Sequence, residues 1–110
     1  MFEIRTTSVF DTWFDALRDK QAQARIHARV RRLSMGNPGD QRNLSGGIAE
    51  MRIDYGPGYR VYYCLREQVA YLLLCGGNKR TQPSDIAQAQ AILEALKQQE
   101  KANETTSNNP

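Results

Sequence analysis

The chain has 110 residues, 40% of them hydrophobic and 25% charged, which is material for one modest core and too little for a second domain. Its formal net charge of +3 and isoelectric point of about 9.1 admit a nucleic-acid or acidic-protein partner without requiring one. No signal-like apolar region follows Met1, and no apolar run nears the roughly 18 residues that span a bilayer, so the expectation is a cytoplasmic protein without membrane contact.

In chain order, "FEIRTT" (Phe2 to Thr7) alternates apolar and polar residues and predicts a first strand. Ser8 offers an N-cap to a first helix that sets Val9, Phe10, Trp13, Phe14 and Leu17 on one apolar stripe. A second helix is expected from about Lys20 to Met35, with Ala22, Ile26, Val30 and Leu33 inward, arginines outward, and Gly36 closing it. From Arg25 to Arg42 the chain carries Arg25, Arg29, Arg31, Arg32 and Arg42 against one acid, Asp40. His27 among them reads as an ordinary surface or half-buried histidine.

"GNPGDQRNLSGG" (Gly36 to Gly47) is turn-forming and predicts a loop. "IAEMRIDY" then places Ala49, Met51, Ile53 and Tyr55 on one face of a half-buried antiparallel strand. "GPG" at Gly56 to Gly58 reverses the chain into a strand from Tyr59 to Leu65, and "VAYLLLC" (Val69 to Cys75) reads as a central strand covered on both faces. "GGNKRTQPS" predicts another loop, and a third helix begins at Ser84 or Asp85 with Ile86, Ala89, Leu93 and Leu96 at helical spacing. The last residues, Lys101 to Pro110, lack large apolar side chains and predict a disordered tail after a single domain over residues 1–100. The resulting fold class is α+β: an antiparallel sheet of about four strands, a helical pair packed on one face, and a C-terminal helix. Cys64 and Cys75 fall in adjacent strands out of register and are expected to be buried, reduced thiols. With so few Cys and His residues, no metal site is expected.

Pairing the second and third strands about Pro57 sets Arg60 opposite Asp54 and Tyr62 opposite Arg52, within one register step. Glu50, Arg52, Asp54, Arg60, Tyr62 and Cys64 then share the face that the helical pair leaves open. Two forked guanidinium groups and a phenol there suit phosphate binding and base stacking, while a plain cross-strand ion pair between Asp54 and Arg60 explains the same spacing. Lys79 and Arg80, just past two glycines, add positive charge near the same end of the sheet.

The run "GNPGDQRNLSGGIAEMRIDYGPGYRVYY", followed by "LLLCGGNKRTQPSDIAQA", resembles the RelE/ParE toxin superfamily of bacterial toxin–antitoxin modules, in its HigB-like addiction module killer branch. The resemblance covers Phe2 to about Leu96. It implies a metal-independent and cofactor-free endoribonuclease that cuts mRNA on the ribosome by activating a ribose 2′-hydroxyl against the adjacent phosphate. Carried over by residue, Arg60 contacts the scissile phosphate, Arg52 supports it, and Lys79 protonates or stabilises the leaving oxygen. Tyr62, Arg80 and Arg42 are the candidate RNA contacts. Relatives use lysines or a glutamate as general base; here the available carboxylates are Asp40 and Glu50. Where some relatives carry a C-terminal tyrosine or histidine, this chain has Asp85 or Ile86. The implied partner is an antitoxin of the helix-turn-helix DNA-binding type, through which the pair reaches operator DNA. The alternatives are a ParE-like DNA gyrase inhibitor and an inert remnant that only binds its antitoxin or RNA.

Overall fold

The computed structural model describes residues 1–107. Strand β1 (Glu3–Thr6) leads into helices α1 (Ser8–Asp15) and α2 (Lys20–Ser34). After the short β2 (Gln41–Asn43) come β3 (Ile48–Ile53), β4 (Tyr59–Arg66), β5 (Ala70–Asn78) and helix α3 (Gln82–Ser107), with 3-10 turns at Ser45–Gly47 and Lys79–Thr81. The five strands form one sheet in the order β1-β5-β4-β3-β2. All pairs are antiparallel except β1 with β5, which is parallel. The α+β class therefore holds, with two corrections to the expected sheet. A fifth strand lies inside the segment read as a loop, because three residues are too few to show a period. The parallel pair arises because the long connection from β1 carries the chain back to lie beside β5 in the same direction.

Helix starts are set by side chains that accept the first free N–H groups. Thr7, one residue before the expected cap, accepts from the Phe10 amide at 3.0 Å and donates its hydroxyl to the Leu74 carbonyl at 2.6 Å. Asp19 caps α2 by accepting from the amides of Gln21 at 3.0 Å and Ala22 at 3.2 Å, and it also accepts from the Tyr55 hydroxyl at 2.9 Å. The Tyr55 hydrogen bond first, and the Ala22 amide next, hold the Asp19 carboxyl below its ordinary value. A depressed folded value means that the carboxylate favours the folded chain above the unfolded value and loses that effect as pH falls through the folded one. Asp19→Ala is therefore expected to lower the melting temperature by a few degrees at neutral pH. The gap to wild type should close as the buffer is taken below the carboxylate range; a gap that persists in acid would assign the effect to packing.

The two faces of the sheet carry separate cores. Phe10, Ile26 and Leu33 from the helical pair pack on Met51, Ile53, Val61, Tyr63 and Leu73. Ala89 and Leu93 of α3 pack on Ile48, Tyr62, Cys64, Leu74 and Cys75 from the opposite face. Leu73 and Leu74 thus serve different cores, as expected of a central strand. The face predicted to be open is largely closed by α3, whose apolar stripe must be buried and finds the other face already filled. Both cysteines are free and buried, and burial, with Asp85 as the second cause, pushes the Cys75 thiol up to about 12.

Gly76 and Gly77 belong to β5 and not to a loop. A Cβ on Gly76 would sit 2.3 Å from Trp13 Cζ3, and one on Gly77 would sit 1.7 Å from Asp85 Oδ2. These glycines admit neighbouring side chains to the strand. Past Asn78, whose side chain caps the 3-10 turn, the chain runs directly into α3, so that helix begins at Gln82, ahead of Ser84. Its helical path continues to Ser107 through most of the stretch read as tail, and Arg66 ion-pairs with Glu100 on it. Asn108 to Pro110, the end of that expected tail, lie outside the described residues.

Candidate functional site

The β3–β4 connection positions the site. Its turn takes in Asp54 to Gly58, with Gly56 and Gly58 at positive φ of 57° and 79°. Because that loop is wider than a tight reversal about Pro57, pairing moves by two residues: Arg60 lies opposite Arg52, and Tyr62 opposite Glu50. A shift of two keeps every side chain on its expected face. It also replaces the expected Asp54–Arg60 ion pair with two arginines side by side, an arrangement that costs stability.

Arg52, Arg60 and Lys79 line an open depression of about 410 Å³ together with Asp40, Asp54 and Gly58. Arg52 Nη2 donates to Asp40 Oδ1 at 2.9 Å, and Arg60 Nη1 donates to the Gly58 carbonyl at 3.3 Å. The Nε atoms of both arginines are buried without a protein acceptor among the described residues. Gly58 is required here. Its φ excludes ordinary side chains, and a Cβ would approach Lys79 Cβ to 3.3 Å and Arg60 Nη1 to 3.6 Å.

The expected residues divide into two groups. Arg60, Arg52, Lys79 and Asp40 come together in the depression. Glu50 and Tyr62 form a second cluster beneath α3, in which Glu50 Oε2 accepts from Tyr62 Oη at 3.1 Å and Gln82 Nε2 at 2.7 Å, while the exposed Arg42 on the edge strand lies 3.3 Å from Oε1. Glu50 and Tyr62 are both 0% exposed. This corrects two assignments: Tyr62 offers no ring face to a base, and Glu50 cannot reach a substrate proton, because α3 covers both. Burial first, and the charge of Glu50 next, push the Tyr62 phenol up, so it stays a neutral donor to that carboxylate. Arg80 is exposed on the 3-10 turn outside the lining of the depression. Asp85 faces Gly77 and hydrogen-bonds Thr81, which fixes the start of α3.

Sequence reasoning passed over Arg29 as one more outward arginine. Its guanidinium donates to the carbonyls of Arg52 at 2.6 Å, Asp40 at 3.0 Å and Pro38 at 3.2 Å, and so ties the loop bearing Asp40 to β3. Burial first, and the neighbouring charge of Arg32 next, hold its pKa below the ordinary value. The available signal was its spacing with Arg25 and Arg32, which puts all three on one side of α2. An ion pair with Arg60 was one of two readings the spacing left open for Asp54; the wider turn leaves its carboxylate exposed in the wall of the depression.

The fold and site together define an α+β protein that gathers two strand arginines and a lysine at one end of its sheet, around a space suited to an anion. Residues 12–102 match the family described as "Phage derived protein Gp49-like (DUF891)", and the chain belongs to that family. An uncharacterized protein of Haemophilus influenzae (strain ATCC 51907 / DSM 11121 / KW20 / Rd) is 47% identical over 94 residues, covering 86% of this chain and 95% of that relative. The family is associated with the toxins of toxin–antitoxin modules, and an antitoxin is accordingly the partner it implies. Among the described residues no helix is long and apolar enough to cross a membrane.

Proposed function

We propose that this toxin is a metal-independent mRNA endoribonuclease that acts on the ribosome, in the manner of RelE and HigB, and is silenced by an antitoxin of the helix-turn-helix type. The observation that supports this reading most is the pairing of Arg52 directly across from Arg60, with only Asp40, among the described residues, in ion-pair contact with either. Two adjacent guanidinium groups repel, and a phosphate between them relieves that repulsion while filling their free donors. Their place on neighbouring strands gives the rigidity that stabilising a transition-state charge needs.

In the proposed reaction the ribose 2′-oxygen attacks the adjacent phosphorus as its proton passes to a carboxylate. The bond from phosphorus to the 5′-oxygen breaks, leaving a 2′,3′-cyclic phosphate, and the departing oxygen takes a proton from Lys79. Arg60 and Arg52 hold the charge that builds on the phosphate oxygens. Of the carboxylates in the depression, Asp40 is engaged by Arg52, so Asp54 takes the role of proton acceptor.

The test is to map new 5′ ends of cellular mRNA minutes after induction without antitoxin. Cuts in phase with codons, dependent on translation, are expected. Intact mRNA with arrested growth and a DNA-damage response would replace this reading with gyrase inhibition; intact mRNA with normal growth would leave an inert binding protein.

A further inference from the structure

A second depression, of about 310 Å³, adjoins the first. It is lined by Arg25, Arg29 and Arg32 of α2, with Asp40 and Asp54 common to both walls. The two therefore form one trough, which runs from the β3–β4 edge onto the side of α2.

Helix α2 contains no Asp or Glu at all between Lys20 and Ser34. Its cations consequently have no acidic partner within the helix, and like charges three or four residues apart destabilise it. Arg29 is spent on backbone carbonyls, but its charge remains in the trough. Arg25 is held 4.6 Å above the Tyr55 ring, whose hydroxyl is in turn fixed by Asp19, so its guanidinium is already oriented before any ligand arrives. Arg32 lies exposed on the same wall. Arg31 faces elsewhere, lining an apolar depression with His27, Val30 and Phe14.

We infer that the trough wall formed by Arg25 and Arg32 is a second binding site, for the phosphodiester backbone of RNA flanking the nucleotide held at Arg60. This rests on the ribonuclease reading above. A strand cut at Arg60 carries a phosphate on either side of the scissile bond, and its backbone must leave the first depression. The exit along α2 offers two guanidinium groups about two helical turns apart, each able to recognise phosphate oxygens by parallel hydrogen bonds. That RNA is the message; ribosomal RNA presents the same phosphate chemistry, and the two assays separate them.

Arg25→Gln/Arg32→Gln, Arg31→Gln and wild type would be compared in two assays. The first is binding of a fluorescein-labelled 2′-O-methyl RNA oligonucleotide, which cannot be cleaved, across a salt series. The second is cleavage of message on programmed ribosomes. The double variant is expected to bind the oligonucleotide roughly tenfold more weakly, with a salt slope shallower by about 1.4, for two phosphate contacts on a single strand. On ribosomes its KM should rise while kcat stays within about twofold. Oligonucleotide binding left intact while KM on ribosomes rises would assign the site to ribosomal RNA; both changing together would assign it to message. Arg31→Gln removes one charge from the other side of the helix and should match wild type. Arg25→Lys/Arg32→Lys should retain the slope, which separates loss of contacts from loss of fold.

Equal weakening by Arg31→Gln would overturn the site in favour of general charge. Unchanged RNA binding and KM in the double variant, with weaker binding of the antitoxin, would overturn it in favour of an acidic protein segment. Wild type that neither binds nor cleaves RNA would overturn the ribonuclease reading itself, whereas active wild type with an indistinguishable double variant overturns this inference alone.

Discussion

Arg60→Ala is expected to abolish growth arrest and to lower the rate of mRNA cleavage by about 10²- to 10³-fold, the usual cost of removing one donor from a transition-state charge. The variant should fold at least as stably as wild type. Arg60 makes a single long hydrogen bond to its neighbour Gly58 and stands directly opposite Arg52, so the substitution removes a like-charge pair and little else. A melting temperature equal to or above that of wild type, together with loss of activity in single-turnover cleavage on programmed ribosomes, is the expected combination. A well-folded variant that retained toxicity would remove Arg60 from the chemistry. Arg60→Lys should recover only part of the rate, since an ammonium restores the charge without the fork.

Asp54→Asn is expected to lower kcat by about 10²- to 10⁴-fold with little change in KM, the signature of a lost general base. Among the described residues Asp54 makes no ion pair within 4 Å and is exposed, so the exchange of one oxygen for an amide should leave the fold unaltered. Asp40→Asn is the comparison. It weakens the 2.9 Å pair with Arg52 and should alter substrate affinity more than turnover. If Asp40→Asn instead abolished turnover and Asp54→Asn did not, the base would be Asp40. Glu50→Gln, buried beneath α3, should show its effect in stability.

The helices and the strand faces were legible because their periods are local. The apolar residues of α1, α2 and β3 recur at the spacing that each element needs, and no distant contact is required to see it. Face membership survived an error in register, since the pairing moved by two residues and the side-chain period is two. The gathering of Arg52, Arg60 and Lys79 was legible for the same reason: they flank a Gly-Pro-Gly turn and a strand end, and all three reach one depression.

Three features were not legible. The roles of Glu50 and Tyr62 depended on whether α3 covers their face, and nothing within β3 or β4 reports on a helix that begins some twenty residues later. Gly76 and Gly77 looked like a loop because a glycine pair is locally a breaker; their strand conformation follows from Trp13 and Asp85 pressing against the space where side chains would be. Arg29 looked like any surface arginine until the carbonyls of Pro38, Asp40 and Arg52 converged on it.

Residue order thus sufficed for the elements, their buried faces, and the cations that line one depression, all of which follow from side-chain chemistry at short spacing. The cross-strand partner of Arg60, the burial of Glu50 and the exposure of Asp54 were decided by the folded chain. Each depends on a contact between segments far apart in sequence, and such contacts are chosen by which apolar faces remain to be covered once the local elements exist.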